Sequence, residues 1–185
     1  LLTRPSKSTE MNYKELSLDK FMIIAALKSP DATDLRSVIH PETLSKLIEL
    51  EGTSMMFESG IGKGINVSDE ALITLGLTCS SRDECLSKGN MIITPSPLTS
   101  SEINQIQPGT SVIGMLNPFY AHDELKAMAA AKLNAVSMEF IPRITRAQKM
   151  DVLSSQANLA GYAAVLEAAQ HLSLIHISEP TRRKR

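Results

Sequence analysis

Arg143, Gln148, Asp151 and Ser154 lie within twelve residues of one another in this 185-residue sequence. A guanidinium donates hydrogen bonds to oxyanions, while a carboxylate and a hydroxyl can bond the NH2 and C=O groups of an amide. These side chains could therefore hold a ligand that carries both an amide and a phosphate. Their spacing alone fits a polar loop with internal ion pairs equally well.

Glycines cluster at Gly60-Ile61-Gly62-Lys63-Gly64, a composition that could cradle a phosphate. In the dinucleotide fingerprint G-x-G-x-x-G, the glycines open directly into a helix. Here the third glycine comes one residue early, and a polar stretch precedes Ser68. We therefore predict a turn between a strand and a helix rather than a phosphate site.

The cysteines and histidines do not have the spacing of a metal site. Cys79 and Cys85 are separated by five residues, which matches no common zinc or redox motif, so we predict reduced thiols. No pair of histidines has the H-x-x-x-H spacing. His40 immediately precedes a helical proline, and for His122, at a predicted helix start, we expect a solvated or capping role.

Composition places the chain among globular proteins. Hydrophobic residues make up 43% and charged residues 21%, which excludes bulk disorder and low-complexity architectures. The longest apolar run, Phe21–Leu27, is too short to cross a bilayer, and no signal peptide precedes it. We predict one domain of cytoplasmic or matrix-like location.

The two ends of the sequence differ from the rest. Residues 172–185 carry a net charge of +3 and leave −4 on the other residues. Their sequence resembles the translation of a common sequencing-library adapter, so we expect an artefactual tail. Residues 1–20 are expected to be a disordered or non-native leader.

Short apolar runs alternate with helical patterns from residue 21 onward, which is typical of βα units. The runs are aliphatic throughout, as expected of strands covered by helices on both faces. The predicted strands are Phe21–Leu27, Thr53–Glu58, Leu77–Cys79, Met91–Thr94, Ser111–Leu116 and Ala135–Phe140. The prediction is an open, mostly parallel α/β sheet of flavodoxin or Rossmann type, with helices on both faces.

Helix starts are marked by capping residues. Ser81 and Thr99 each precede a glutamate by three residues, which predicts two capping boxes. The predicted helices include Glu42–Leu50, Asp69–Leu75, Asp123–Leu133 and a long, small-residue helix over Ser154–Ala169. We therefore divide the chain into a domain over residues 21–153 and the start of an inter-domain helix over residues 154–171.

The segment Ile141–Ser154 follows the last predicted strand. Open α/β sheets bind their ligands at the carboxyl ends of the strands. Arg143, Gln148, Asp151 and Ser154 are thus expected at the ligand-binding edge of the sheet.

The segment Pro142–Ala169, PRITRAQKMDVLSSQANLAGYAAVLEAA, closely resembles the nucleotide-contact loop and following helix of the NAD(H)-binding subunits of proton-translocating NAD(P) transhydrogenases. These subunits form one superfamily with the alanine dehydrogenases. Weaker similarity includes Ala26–Lys28, Arg36 with Pro41–Thr43, and Glu58–Gly62. The resemblance covers about 150 of the 185 residues.

The resemblance implies a role for each polar residue of the loop. Arg143 and Ser154 would hold the nicotinamide carboxamide of NAD(H), and Asp151 would orient it. Gln148, the candidate catalytic residue, would face the incoming domain that carries NADP(H). The implied partners are that NADP-binding domain, a membrane subunit and a second copy of the subunit. No nucleic acid or metal is implied, and the location would be cytoplasmic, peripheral to the inner membrane.

Two positions favour a transhydrogenase over an alanine dehydrogenase. Alanine dehydrogenases are similar but use a lysine and a histidine where this chain has Ile93 and Asn117. Without them, amine–imine chemistry lacks its general acid and base. The alternatives are an amino-acid oxidoreductase and a non-catalytic interaction domain. The second, nucleotide-binding domain of the family is expected to be missing, so the sequence would be a fragment that binds NADH weakly.

Overall fold

The structure, a computed structural model, describes residues 22–172. The predicted leader and, except for Leu172, the predicted tail lie outside these residues. Six strands form one open sheet in which all neighbouring strands are parallel. They are β1 (Met22–Ala26), β2 (Thr53–Glu58), β3 (Thr78–Ser80), β4 (Met91–Thr94), β5 (Ser111–Gly114) and β6 (Asn134–Ser137). Their order across the sheet is β3-β2-β1-β4-β5-β6.

Helices connect successive strands, and a long helix follows the last one. They are α1 (Pro41–Ile48), α2 (Asp69–Thr74), α3 (Arg82–Lys88), α4 (Ser100–Ile103), α5 (His122–Ala130) and α6 (Val152–His171). The predicted fold, an open parallel α/β sheet that ends in a long helix, is therefore confirmed. Its strand order is that of the doubly wound dinucleotide-binding sheets.

Local capping determines most helix starts. Both predicted capping boxes, at Ser81 and Thr99, are present with reciprocal hydrogen bonds. His40 caps α1, because its Nδ1 accepts a hydrogen bond from the Glu42 amide at 3.4 Å. His122 is exposed and makes no capping bond, and the N-cap position of α5 belongs to Ala121. The solvated alternative for His122 is therefore correct and the capping alternative is wrong.

Several predicted boundaries are wrong, and three of them concern β5, β6 and α6. The strand β5 ends at Gly114, before the left-handed turn at Asn117, whose φ is 49°. The strand β6 ends at Ser137, and Met138–Phe140 form a 3-10 turn. Helix α6 begins at Val152 rather than Ser154, because the Asp151 side chain accepts the Ser154 amide hydrogen bond and so caps the helix two residues earlier.

The core consists of two apolar clusters, to which alternate residues of the central strand β1 contribute. Ala25 and Leu27 belong to one cluster, while Ile24 and Ala26 belong to the other. Since successive side chains of a strand point to opposite faces, the clusters lie on the two sides of the sheet. The strand is thus covered on both faces, as its aliphatic sequence predicts.

The glycine cluster forms the predicted turn between β2 and α2. Gly60 has a φ of 80°, which favours glycine. Its amide donates to both carboxylate oxygens of Asp69 at 3.0 Å, and the Ser59 hydroxyl donates to the same group at 2.8 Å. These bonds tie the turn to the first residue of α2.

We expect replacement of Gly64 by alanine to destabilise the domain. The added Cβ would overlap the backbone carbonyl oxygen of Leu35, which cannot move without displacing its loop. Overpacking of this kind typically costs about 1–3 kcal/mol. Urea unfolding of the variant measures it, with Gly161→Ala as control, since that position in α6 is open and should gain about 1 kcal/mol from helix propensity. Equal midpoints for Gly64→Ala and the wild type would contradict the expectation.

Candidate functional site

A cleft lies at the carboxyl edge of the sheet, where β1 and β4 are neighbours although two strands separate them in sequence. Such switch points are where doubly wound sheets bind ligands. The cleft has a volume of about 330 Å³ and lies between the ends of β4 and β5, the beginning of α6 and the segment 36–38. Its lining residues are Arg36, Ser37, Val38, Ile93, Thr94, Pro95, Ile113, Gly114, Met115, Met138, Val152 and Gln156.

Most of this lining is apolar, and two of its polar side chains, Thr94 and Arg36, already form hydrogen bonds within the protein. The Thr94 hydroxyl donates to the Ser96 carbonyl oxygen at 2.7 Å. The Arg36 guanidinium forms two hydrogen bonds with Asp34, at 2.8 and 2.7 Å, and this pairing lowers the pKa of Asp34 to about 2. Gln156 contributes an amide side chain from α6, so the cleft combines apolar walls with few polar groups, as ligand sites do.

Three of the four predicted site residues lie together beside this cleft. Asp151 is buried and accepts hydrogen bonds from the Ser154 hydroxyl at 2.6 Å and the Ser154 amide at 3.0 Å. These bonds lower the pKa of the Asp151 carboxyl, with a smaller contribution from Arg143. The Nε of Arg143 lies 3.8 Å from Asp151 Oδ2, and its side chain is 74% exposed. The guanidinium is therefore accessible to a ligand.

Gln148 is joined to that group through its backbone, because its carbonyl oxygen accepts the Asp151 N–H hydrogen bond at 3.3 Å. Gln148 is exposed and begins the 3-10 turn Gln148–Met150. Its backbone N–H donates a hydrogen bond to the Ile144 carbonyl oxygen at 2.9 Å. None of the four predicted residues lines the cleft itself. The residues of α6 that do so are Val152 and Gln156, one helical turn apart.

Ile93 and Asn117 occupy different places relative to the cleft. Ile93 lines it, while Asn117 is exposed in the turn after β5 and outside its lining. No lysine or histidine is among the lining residues. The described part of the cleft therefore lacks a group that could carry a proton to or from an amine near neutral pH.

The thiols of Cys79 and Cys85 are free. Burial, with Glu58 adding to it, raises the pKa of Cys85 to about 11, and burial also raises the pKa of Cys79, assisted by Asp69. Both are therefore protonated at neutral pH and weakly reactive. Within residues 22–172, no three histidine, cysteine or acidic side chains are arranged to hold a metal ion.

A partly buried ion network, which sequence reasoning missed, supports the same edge of the sheet. Arg82 Nη1 donates to Glu58 Oε2 at 2.8 Å and to the Lys28 carbonyl at 3.0 Å, while its Nε donates to Glu102 at 2.5 Å. Burial opposes ionisation of Glu102, but hydrogen bonds from Thr99 and Arg82 outweigh it and lower its pKa. The network joins the ends of β1 and β2 to α3 and α4.

Comparison with known proteins agrees with this geometry. Residues 28–160 match the family described as alanine dehydrogenase/PNT, N-terminal domain. This chain belongs to that family.

Relatives of this alanine dehydrogenase/PNT domain include two bacterial transhydrogenase subunits, each named as the first part of NAD(P) transhydrogenase subunit alpha. The chain is 40% identical over 155 residues to that of Rickettsia prowazekii and 36% identical over 154 residues to that of Rhodospirillum rubrum. These alignments cover 81% and 80% of this chain. The chain spans about 40% of the length of either relative.

Solved structures show the same alanine dehydrogenase/PNT architecture. The transhydrogenase of Sinorhizobium meliloti superposes with a TM-score of 0.74 at 36% identity, covering 80% of this chain and 44% of that one. An L-alanine dehydrogenase superposes with a TM-score of 0.59 at 18% identity, covering 68% and 34%. This second likeness supports the fold alone. Among the described helices, none combines the length and apolarity that a membrane span requires.

Proposed function

We propose that this chain is the NAD(H)-contacting N-terminal domain of an NAD(P) transhydrogenase alpha subunit, part of an enzyme that transfers hydride from NADH to NADP+. The observation that carries the proposal is the group Arg143, Asp151 and Ser154, held together beside an apolar cleft in a chain 40% identical to such a subunit. The amino-acid oxidoreductase alternative is disfavoured, because no lysine or histidine is among the described residues that line the cleft.

The chemistry of this group suits a nicotinamide carboxamide. Its NH2 requires an acceptor and its C=O requires a donor. Asp151 is ionised and keeps acceptor capacity beyond its bonds with Ser154, and the exposed guanidinium of Arg143 can donate. Arg143 and Ser154 would hold the carboxamide, and Asp151 would orient it.

The two nicotinamides supply and accept the hydride, so this chain's residues act by positioning. Hydride transfer requires the reacting atoms at near-contact distance with little freedom. Gln148, which is exposed and contacts Asp151 only through backbone atoms, would face the NADP(H)-bearing domain and act as the catalytic residue nearest the second nucleotide. The apolar cleft would keep water from the reacting atoms.

The proposed partners are the NADP-binding domain, a membrane subunit and a second copy of the subunit, with no nucleic acid. The supporting observation is α6, whose apolar residues lie on all sides and none of whose residues is buried. Leu159, Tyr162 and Val165 are each more than 60% exposed. Such a helix is normally covered by further protein. The proposed location is the cytoplasmic side of the inner membrane, held there through the partner subunits.

The assignment is tested with the complete subunit and its partners. We expect NADH-dependent reduction of an NADP+ analogue, followed by absorbance, and no NADH formation from NAD+ and L-alanine. Alanine-dependent NADH formation without hydride transfer would instead establish the amino-acid oxidoreductase. An assembly with neither activity, yet with intact partner binding, would establish the non-catalytic interaction domain.

We expect the 185-residue chain by itself to bind NADH weakly or not at all. It would supply one wall of the proposed site, and among residues 22–172 the exposed Arg143 side chain has only Asp151 beside it as a charged partner. Titration of NADH fluorescence measures the affinity, with the complete subunit as the reference. Submicromolar binding to the chain by itself would contradict the expectation.

A further inference from the structure

The turn after β5 and the segment after β6 are joined by one carboxylate. Glu139 Oε1 accepts the Asn117 amide hydrogen bond at 2.7 Å, and its Oε2 accepts that of Leu116 at 3.2 Å. The Ser137 hydroxyl also donates to Oε2, at 2.5 Å. Glu139 therefore pairs two backbone N–H groups from a loop 22 and 23 residues earlier in the chain.

These two amides depend on Glu139 because the sheet no longer pairs them. The strand β5 ends at Gly114, and the chain then enters the left-handed turn at Asn117. Leu116 is buried, so an unpaired amide there would lack compensating water. Burial opposes ionisation of Glu139, but the hydrogen bonds from Ser137, Asn117 and Leu116 outweigh it and lower the pKa of this carboxyl.

A second contact joins the same two segments. The rings of Phe119 and Phe140 pack edge to face, with centroids 5.5 Å apart. Phe140 closes the 3-10 turn Met138–Phe140, and the polar loop 141–151 begins at the next residue. Met138, on the other side of Glu139, lines the cleft together with Val152 of α6. The turn is thus fixed at both ends, between the cleft and the loop.

We propose that Glu139 is a positioning residue, whose carboxylate holds the turn 138–140 on the β5–α5 connection and thereby sets the position of Arg143 and Gln148 beside the cleft. This inference rests on the proposed function for its catalytic consequence. It needs no contact between Glu139 and either nucleotide. Arg143 follows Glu139 by four residues, so a displaced turn displaces the whole start of the loop.

The test uses the complete enzyme with Glu139→Ala, Glu139→Gln and the matched control Glu51→Gln, which changes an exposed glutamate just before β2 at the opposite edge of the sheet. Hydrogen exchange by mass spectrometry reports on the loops independently of activity. We expect Glu139→Ala to speed exchange at residues 114–121 and 141–151. Glu139→Gln should lie between it and the wild type, because its amide keeps one acceptor oxygen. Glu51→Gln should match the wild type.

A second measurement follows the rate of hydride transfer for the same variants and for Arg143→Ala. We expect Glu139→Ala to lower turnover roughly 10- to 100-fold, a size typical of misplaced groups, with partial rescue in Glu139→Gln. The double variant Glu139→Ala/Arg143→Ala should lose less than the product of the two single losses, since Glu139→Ala acts in part by displacing Arg143. Unchanged exchange over residues 141–151, or losses that multiply in the double variant, would overturn the inference. If Arg143→Ala itself keeps wild-type turnover, the proposed function fails, while the exchange result still decides whether Glu139 anchors the loop.

Discussion

Replacement of Arg143 by alanine is expected to lower hydride transfer from NADH to NADP+ by about 100-fold in the complete enzyme. The guanidinium is exposed and next to the Asp151–Ser154 pair, where it would hold the carboxamide in the geometry that transfer requires. Because the guanidinium would both bind the carboxamide and hold the nicotinamide ring in its reactive orientation, NADH affinity and turnover should both fall. Gln148→Ala should lower turnover with little change in NADH affinity, because Gln148 contacts Asp151 through backbone atoms that alanine retains.

Steady-state kinetics separate these effects when KM for NADH and kcat are measured for each variant. The matched control is Arg146→Ala, which removes an exposed arginine from the same loop and should leave both constants near wild type. Thermal unfolding of each variant shows whether the loop change has affected folding. Wild-type kcat and KM in Arg143→Ala would remove the basis for the site.

Replacement of Arg82 by alanine is expected to cost about 3 kcal/mol of unfolding free energy, since it leaves the buried Glu58, in the described part of the chain, with only the half-exposed Lys28 as an ionic partner. Glu58 is only 7% exposed, and Arg82 is the residue that joins it to Glu102. The change would also free the Lys28 carbonyl, which accepts from Arg82 at 3.0 Å. Chemical denaturation of the domain measures the loss.

Two further variants show whether unpaired charge is the cause. The double variant Arg82→Met/Glu58→Gln removes both charges and should recover much of the loss. Lys88→Ala removes a cation of the same helix from an exposed pair with Glu84, and should change stability by less than about 1 kcal/mol. A loss for Lys88→Ala equal to that for Arg82→Ala would contradict the importance of burial.

The features that the sequence predicts well are those that depend on near neighbours. The capping boxes at Ser81 and Thr99 need only residues three positions apart, and β2 and β4 coincide with their apolar runs. Fold class follows from the alternation of such runs with helices. Arg143, Asp151 and Ser154 also lie close in sequence, and the structure brings them together.

The features that the sequence does not predict depend on distant parts of the chain. Arg82 reaches Lys28 across 54 positions, and Glu139 reaches Asn117 across 22. Neither glutamate nor arginine carries a local signal of such a partner, so both resemble ordinary surface residues in the sequence. The predicted end of β5 is wrong for the same reason, because the turn at Asn117 is paired by Glu139 rather than by a neighbouring strand.

The strand order also has a consequence for synthesis of the protein. The central strand β1 is the earliest described strand, and it pairs with β2 on one side and β4 on the other. Met91, the partner of Ile24, is translated 67 residues later, roughly 3 to 13 seconds at ordinary ribosome speeds. Until then, the N–H and C=O groups on one edge of β1 have no neighbouring strand and can pair with another nascent chain. That edge therefore stays open to aggregation until β4 emerges from the ribosome.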